Sequence, residues 1–367
     1  MKISRSGKAA GLVISGALAL AACGSDTQTT TGATPTGSSS TAAIDCGSGD
    51  LKGAGSSFAK NIVAQWIKDY AAACGTAKVD YQGVGSGTGI KQFTAGTVDF
   101  AGSDAALKDT EQADATKRCG GAPALHLPVT AGGVAIAYKL QGVDSLQLSP
   151  KTLAGIFQGT ITTWDDAAVK ADNPSATLPS TKITAIRRSD SSGTTDIFTK
   201  FLEATAGADW TLGSGKEVDF PAAVQGAAKS DGVTQAVTGV EGAVTYVELS
   251  FAKGAALGVA AVKNAGNEYA ELSAATVTKA LESLTVPTGD LVLDFDYAAL
   301  GAGTYPLTGV TYAVVCSKGT DAAKLELLKK FLTYSATTGQ AAAEGLDYAP
   351  LPSNLATAVT TAVASLA

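Results

Sequence analysis

A guanidinium, a carboxylate and several hydroxyl groups stand together in one short segment of the chain, RRSDSSGTT. In this segment Arg188 precedes Asp190, which can orient the guanidinium, and Ser192, Gly193 and Thr194 follow. Apolar residues at helical spacing come next, so the last three residues are expected at a helix N-terminus, where backbone N–H groups are free. Such a segment favours a bound anion through both charge and dipole. The alternative is a solvated turn that carries a surface salt bridge.

Two further segments combine glycine with hydroxyl residues before a helix-like pattern: GAGSSF at 53–58 and VGSGTG at 84–89. Ser57 can offer its hydroxyl, Phe58 its backbone N–H, and Ser86 its hydroxyl. The second segment lacks the lysine of a P-loop and the spacing of a dinucleotide-binding motif. Each segment alone is equally compatible with an N-cap or a structural turn. The three together, with no catalytic constellation nearby, predict a site for a small oxyanion.

Asp104 lies just after the strand predicted at 98–101 and is an unusual residue for an anion site. A carboxylate repels an anion, but it can accept a hydrogen bond from an anion that still carries a proton. Phosphate keeps one near neutral pH, since its second pKa is roughly 6 in esters, whereas sulfate has none. An acid at this position would therefore disfavour sulfate. The alternative is that Asp104 caps the following turn.

The elements around these segments alternate between strand and helix patterns. Strands are predicted at 50–57, 79–84 and 98–101, a turn at 85–89 and a helix at 90–95. This alternation predicts an α/β sheet with ligand groups at the carboxyl ends of its strands.

A second domain is expected between two apolar, β-branched regions. The runs at 125–129 and 133–138, and the run at 310–315, are typical of crossover strands along which a chain leaves one domain and later returns. The last strongly helical stretch is at 322–334. The elements expected in the second domain are at 151–164, 183–187, 197–202, 233–237 and 243–247.

The N-terminus has a basic start, an apolar run at 9–22 that is too short to span a bilayer, and then Cys23. Residues 1–22 are therefore expected to be a lipoprotein signal peptide, because LAAC resembles the bacterial lipobox. Lipidation of Cys23 would anchor the protein at the outer face of the cytoplasmic membrane. Residues 23–45 would be the lipidated cysteine and a flexible linker, since Gly, Ser, Thr, Ala and Pro dominate there. A secreted protein with an ordinary cleavage site is the alternative.

The net charge is −6, and removing the three basic residues of the first 22, where no acid occurs, makes it −9. This charge disfavours nucleic acid as a partner, because binding to a phosphate backbone depends on basic patches.

Besides Cys23, four cysteines are available, which is an even number for an oxidising compartment. Two disulfides are expected, and three connectivities are possible. We favour Cys46 with Cys74, which leaves Cys119 with Cys316. A zinc site is disfavoured because no CxxC spacing occurs and His126 is the single histidine.

Six blocks, in their order along the chain, resemble the PstS family, the phosphate-binding proteins of bacterial ABC phosphate importers. The resemblance covers nearly all of the mature chain. The blocks are GAGSSF, VDYQGVGSGTGIKQF, TVDFAGSDAAL, LAGIFQGTITTWDD, RRSDSSGTTDIFTKFL and GAVTYVELSFAK.

The resemblance implies the type II periplasmic-binding-protein fold, in which hinge strands join two α/β lobes that close over one phosphate in the cleft. Lobe I would comprise residues 46–129 and 307–367, and lobe II residues 130–306. The expected partners are inorganic phosphate and the transmembrane subunits of an ABC importer, with a monomeric protein and no cofactor.

The resemblance also implies a ligand set. Asp190 would brace Arg188, and Thr88 is left out of the set. The implied phosphate-binding residues are Ser57, Phe58, Ser86, Asp104, Arg188, Ser192, Gly193 and Thr194.

Three other functions stay open. An enzyme acting on phosphate esters would need a nucleophile with a base, or a metal cluster, and His126 lies in an apolar stretch where a packed histidine is expected. We therefore expect no enzyme activity and no metal. The same fold could bind another oxyanion such as sulfate, or the chain could be a surface or adhesion lipoprotein.

Overall fold

The computed structural model describes residues 44–367. The predicted signal peptide at 1–22, the lipidation site Cys23 and the linker as far as residue 43 lie outside the described residues. Within residues 44–367, no helix has both the length and the apolar character that crossing a bilayer requires.

The described strands form a mixed sheet in the order β2-β1-β3-β11-β4-β8-β6-β7, and β5, β9 and β10 lie off this path. The strands are β1 (Gly49–Gly55), β2 (Ala77–Gln82), β3 (Phe100–Ser103), β4 (Ala124–Tyr138), β5 (Gln147–Leu148), β6 (Thr184–Arg188), β7 (Gln225–Ala227), β8 (Ala243–Glu248), β9 (Gly258–Lys263), β10 (Tyr269–Ala270) and β11 (Thr308–Cys316).

Helices cover the faces of the sheet, and short 3₁₀ helices occur at Gly207–Asp209, Thr338–Ala342 and Glu344–Leu346. The α-helices are α1 (Lys60–Ala73), α2 (Ser86–Thr94), α3 (Asp109–Arg118), α4 (Pro150–Phe157), α5 (Ala167–Asp172), α6 (Gly193–Thr205), α7 (Lys229–Thr238), α8 (Leu249–Gly254), α9 (Ala274–Glu282), α10 (Ala322–Ala336) and α11 (Ser353–Ser365).

The strand β4 divides the sheet into two lobes because it pairs with different partners along its length. Residues 124–133 pair antiparallel with β11, which in turn pairs with β3, and β1 lies parallel between β3 and β2. Residues 134–138 pair with β8, which lies parallel to β6, and β6 is parallel to β7. We call the part built on β1, β2, β3 and β11 the first lobe, and the part built on β6, β7 and β8 the second lobe. The lobe boundaries predicted from the sequence stay a prediction.

Apolar side chains at helical spacing fix the helices on the sheet. The sequence predicts a buried helix face from Val63, Trp66, Ile67 and Tyr70. In α1, Ile62, Val63, Trp66 and Tyr70 are buried, and Ile67 is partly buried against the same core. The indole N–H of Trp66 donates to the carbonyl of Gly339, so this large side chain is buried without an unpaired polar group.

Two disulfides tie the first lobe together. Cys46, just before β1, pairs with Cys74 at the end of α1, and Cys119 after α3 pairs with Cys316 at the end of β11. The pairing favoured from the sequence is confirmed.

Most elements lie within a few residues of their predicted bounds, and two larger differences have a physical reason. The segment expected as a turn at 85–89 is already helical, since α2 begins at Ser86. Its glycines are required by close approach: a Cβ on Gly87 would lie 2.2 Å from Ser191 Oγ, and one on Gly89 would lie 2.3 Å from Gly55 Cα. Tertiary packing therefore overrides the low helix propensity of glycine.

The two runs predicted at 125–129 and 133–138 are one continuous strand, β4. The small residues between them do not end the strand. They leave room for neighbours, because a Cβ on Gly132 would lie 2.9 Å from the Phe58 ring and one on Gly133 would lie 2.2 Å from Leu272. The glycines thus reflect close packing rather than a turn.

Candidate functional site

The first turn of the site lies between β1 and α1. β1 ends at Gly55, whose φ is +146° and whose Cβ, if present, would lie 2.0 Å from the carbonyl oxygen of Gly102 on β3. Only glycine allows this approach. The turn carries Ser57 and Phe58, both fully buried. No partner for the Phe58 N–H occurs within residues 44–367, as expected of a donor that precedes a helix.

Ser57 faces the second lobe. Its hydroxyl oxygen lies 2.8 Å from the hydroxyl oxygen of Ser230 and accepts from the Ser230 N–H at 3.1 Å. Ser230 is in the first turn of α7, where the preceding Ala228 is extended and Lys229 has a φ of +64°. Ser57 thus reaches the second lobe through a residue that the sequence did not single out.

The second turn places Ser86 at the centre of the cleft. Gly85 precedes it with a φ of +92°, and a Cβ on Gly85 would lie 2.4 Å from the Asp190 carboxylate. The Ser86 hydroxyl donates to Asp104 Oδ2 at 3.2 Å and accepts from the backbone N–H groups of Asp104 and Gly193 at 3.3 and 3.2 Å. One buried hydroxyl therefore connects the second and third glycine-containing segments with Asp104, and Ser56 of the first segment contacts the same carboxylate.

The third segment runs from β6 into α6. Ser192 caps α6, since its hydroxyl accepts from the Thr195 N–H, and its own N–H donates to the carbonyl of Lys216. Gly193 begins the helix directly against Asp104, because a Cβ there would lie 2.5 Å from Asp104 Cβ. Glycine at this position is required for the two lobes to meet.

Arg188, the last residue of β6, is 4% exposed and is held by Asp190. Nε donates to Asp190 Oδ1 at 2.7 Å and Nη2 to Oδ2 at 2.5 Å, while Nη1 donates to Thr194 Oγ1 at 3.3 Å. Burial alone would lower the pKa of Arg188, but the hydrogen bond and charge of Asp190 raise it above its ordinary value. Burial likewise opposes ionisation of Asp190, and Arg188 outweighs it, so the pKa of Asp190 is lowered. The guanidinium is therefore fixed in both charge and direction.

Asp104 lies just beyond β3 and is 6% exposed. Its Oδ1 accepts from the hydroxyls of Ser56 at 2.5 Å and Thr311 at 2.6 Å. Burial raises the pKa of Asp104, although hydrogen bonds from Ser56, Thr311 and Ser86 and the charge of Arg188 act in the opposite direction. Asp104 is therefore a buried acceptor whose ionised form is disfavoured, and it faces the same cleft as the guanidinium.

Ser86, Asp104, Arg188, Asp190, Gly193 and Thr194 form what we call the cluster. The two lobes also contact each other through ion pairs outside this cluster. Lys60 of α1 pairs with Asp231 of α7 at 2.8 Å, and Lys216 pairs with Glu111 of α3 at 2.6 Å. In this structure the two lobes are therefore in direct contact with each other around the cluster.

The cavity beside Asp104 differs from the cluster itself. It has a volume of about 170 Å³ and is lined by three carboxylates and one ammonium group, from Asp104, Asp196, Asp294 and Lys200. Because Lys200 is already paired with Asp196 at 2.8 Å, this cavity suits an anion poorly. The donors for an anion are concentrated in the cluster.

No group of three or more His, Cys, Asp or Glu side chains within residues 44–367 is arranged to hold a metal ion. His126 is buried: its Nε2 accepts from the Leu107 N–H, and its Nδ1 lies 2.8 Å from Asp290 Oδ2. The histidine is packed and hydrogen-bonded, as the sequence suggested, and it holds the segment before β11 against β4.

The structure thus brings Ser86, Asp104, Gly193, Thr194 and Arg188 with Asp190 into contact. Ser57 reaches the second lobe through Ser230, Phe58 follows it in the chain, and Ser192 is the N-cap of α6. Sequence reasoning missed four buried polar residues that contact the cluster. Glu248 could have been found as the single acid in the apolar strand segment TYVEL. The three hydroxyl residues have no such signal in the sequence. The missed residues are Ser56, Ser230, Glu248 and Thr311.

Comparison with known proteins identifies relatives along the whole chain. The PBP superfamily domain matches residues 30–338. The phosphate-binding protein PstS 3 of Mycobacterium tuberculosis is 38% identical over 374 residues and covers all of both chains. The phosphate-binding protein PstS of Xylella fastidiosa is 35% identical over 83% of this chain and 82% of its own.

Solved structures show the same fold. A high-affinity periplasmic phosphate-binding protein, PfluDING, bound with phosphate has a TM-score of 0.70 at 25% identity, over 85% of this chain and 93% of its own. A human phosphate-binding apolipoprotein has a TM-score of 0.69 at 26% identity, over 85% and 94%. The architecture is therefore the type II binding-protein fold that the sequence predicted.

Proposed function

Because the chain belongs to the PstS family of phosphate-binding proteins within the PBP superfamily, we propose that it binds inorganic phosphate outside the cytoplasm and delivers it to an ABC phosphate importer. Members of this family are substrate-binding proteins, so this protein is a substrate-binding protein and not an enzyme. The two-lobed fold supports a mechanism in which lobe closure encloses the ion and the transporter recognises the closed form.

The observation that carries this proposal is the contact set around Ser86. Its hydroxyl contacts Asp104 of the first lobe and the Gly193 N–H of the second lobe, at the helix N-terminus beside Arg188. Backbone N–H groups, hydroxyls and one guanidinium are the groups that bind an oxyanion most strongly. Hydrogen bonds to a charged group contribute about 1.5 to 3 kcal/mol each, and a micromolar dissociation constant needs only about 8 kcal/mol, so such a cluster is sufficient.

The proposed ligand set extends across both lobes. Asp190 orients Arg188, and β4, whose two ends pair with strands of different lobes, would provide a hinge between lobe I (46–129 and 307–367) and lobe II (130–306). The proposed phosphate-binding residues are Ser57, Phe58, Ser86, Asp104, Arg188, Ser192, Gly193 and Thr194.

Asp104 would select phosphate over sulfate. The carboxylate is buried among hydroxyl donors, and in its ionised form it can accept a hydrogen bond from the protonated oxygen of a phosphate ion near neutral pH. Sulfate offers no proton, so its oxygen would meet a carboxylate oxygen without a hydrogen bond.

The N-terminal sequence supports attachment of the protein through Cys23 to the outer face of the cytoplasmic membrane, where it would act as a monomer beside its transmembrane partners. Residues 1–22 would be removed as the signal peptide, and residues 23–45 would tether the folded part. Substitution Cys23→Ala should release the protein from the membrane fraction. Retention of that variant in the membrane would reject the lipid anchor.

Calorimetric titration of the purified protein with phosphate, sulfate and arsenate tests the function. We expect saturable binding of one phosphate and weak competition by sulfate. No saturable phosphate binding would reject the proposal and favour a surface or adhesion role, and preferential sulfate binding would assign another oxyanion. A phosphatase assay on the same sample is expected to show no turnover.

A further inference from the structure

Glu248 is a buried acid next to the proposed ligand groups. It is the last residue of β8, is 1% exposed, and its Oε1 accepts from the Thr194 hydroxyl at 2.8 Å. Its other oxygen, Oε2, has no hydrogen-bond partner of normal geometry within residues 44–367, although the Ser230 hydroxyl lies near the carboxylate. A buried carboxylate oxygen without a donor is costly, so the residue calls for an explanation.

The contact with Glu248 fixes how Thr194 can bind a ligand. A hydroxyl group has one hydrogen, and in this structure that hydrogen points to Glu248, while Arg188 Nη1 donates to the same hydroxyl oxygen at 3.3 Å. As long as Glu248 is ionised, the Thr194 hydroxyl can accept hydrogen bonds but cannot donate one to an anion. Thr194 lies in the first turn of α6 and belongs to the proposed ligand set.

Charged and polar groups face Glu248 from several elements. Burial is the largest influence and raises the pKa of Glu248, whereas the charge of Arg188 on β6 and the hydroxyls of Ser230 and Thr194 lower it, and Asp104 beyond β3 raises it. Tyr348 also lies near enough for its ionisation to be opposed by Glu248. The charge of Arg188 offsets only part of the cost of burying an ionised Glu248, because two nitrogens of Arg188 already bind Asp190.

Resting on the proposed function, we propose that Glu248 is a positioning residue that takes up a proton from solvent when phosphate binds. The protonated carboxyl then donates its hydrogen to the Thr194 oxygen. The Thr194 hydroxyl turns its own hydrogen toward a phosphate oxygen, and Arg188 keeps its contact. The step moves one proton onto Glu248 and leaves phosphate as the singly protonated dianion, whose hydrogen is donated to Asp104.

The sign of the pH dependence follows from this step. A group that holds its proton more tightly in the complex than in the free protein adds to affinity at low pH, and this gain is lost as the pH rises. Above pH 8, the ionisation of phosphate itself contributes little to the pH dependence of the affinity, because its second pKa is roughly 6 to 7.

The test compares the phosphate affinity of the wild type with that of Glu248→Gln from pH 6 to pH 9. Glutamine has nearly the same shape but cannot ionise, so the ratio of the two affinities isolates this carboxyl from the ionisation of phosphate and of Asp104. As the pH rises, we expect the phosphate affinity of the wild type to fall relative to that of E248Q. The fall should be up to about tenfold per pH unit where phosphate binding protonates Glu248, and about fivefold or more in total between pH 6 and pH 9. A ratio that is constant within twofold would overturn the proposal.

Glu282→Gln, at an exposed position at the end of α9, is the matched control and should keep the wild-type profile. If wild type and E282Q bind no phosphate at any pH, the proposed function fails, whereas a constant ratio with normal binding rejects only the role of Glu248. If E248Q does not fold, calorimetry of the wild type at pH 8.5 in two buffers of different ionisation enthalpy replaces the ratio. Net proton uptake on phosphate binding supports the role of Glu248, and no uptake overturns it.

Discussion

The hydroxyl oxygen of Ser86 accepts a hydrogen bond from the backbone N–H of Gly193 at 3.2 Å. Gly193 lies across the cleft from Ser86 and 107 residues further along the chain. The same oxygen accepts the N–H of Asp104, and the hydroxyl donates to the Asp104 carboxylate. Two of the three glycine-containing segments and Asp104 therefore meet at one side chain.

Substitution Ser86→Ala should weaken phosphate binding by roughly tenfold, since a hydrogen bond to a charged group contributes about 1.5 kcal/mol or more. Thr88→Ala is the matched control, because Thr88 lies in the same helical turn but is exposed. Calorimetric titration of both variants measures the difference. Equal effects of the two substitutions would show that Ser86 does not contact the ion.

Substitution Arg188→Ala should cost 2 kcal/mol of binding free energy or more, about 30-fold in affinity, because it removes one partner of buried, charged hydrogen bonds. Arg188→Lys should recover only part of this loss, since an ammonium group cannot hold Asp190 at two points. The neighbouring Arg187→Lys serves as the control. Near-native phosphate affinity of R188A would move the site elsewhere.

Substitution Asp104→Asn should narrow the preference for phosphate over sulfate. The amide removes the negative charge that opposes sulfate and can donate a hydrogen bond to it. Competition titrations with both anions give the ratio of their affinities in the wild type and in D104N. If this ratio is unchanged, Asp104 is not the residue that discriminates between the two ions.

The two ion pairs across the cleft should differ in their effect on closure. Lys216 is 3% exposed in its pair with Glu111, and its carbonyl accepts from the Ser192 N–H, whereas the Lys60–Asp231 pair is about half exposed. Lys216→Met should weaken phosphate binding about fivefold, roughly 1 kcal/mol, while Lys60→Met should change it less than twofold, since exposed pairs contribute little.

Small-angle scattering of the same two variants, with and without phosphate, gives the radius of gyration. We expect K216M to need more phosphate than K60M to reach the compact value. Indistinguishable phosphate dependence of the two variants would argue against Lys216 as a stabiliser of the closed form.

Much of this site could be predicted because its donors lie in short segments with local signals. The order of residues from Arg188 to Thr194 predicts both the ion pair with Asp190 and the N-terminus of α6, and both occur. Local sequence also predicts the apolar face of α1, because helical spacing determines it.

The residues that sequence reasoning missed are positioned by contacts between distant segments. Ser230 faces Ser57 from 173 residues away, and Thr311 reaches Asp104 from 207 residues away, so nothing near either residue in the sequence indicates its role. The start of α2 was misplaced for the same reason. Its glycines resemble a turn in the sequence, but Gly89 is required by the closeness of Gly55 on β1.

The most direct test of the central claim is a crystal structure of the protein saturated with phosphate. The account predicts one phosphate ion between the lobes, with its oxygens within hydrogen-bonding distance of Ser86 Oγ, the Gly193 N–H and the Arg188 guanidinium, and one oxygen facing the Asp104 carboxylate. A phosphate bound elsewhere, or a cleft in which Ser86 and Arg188 do not contact the same ion, would contradict it.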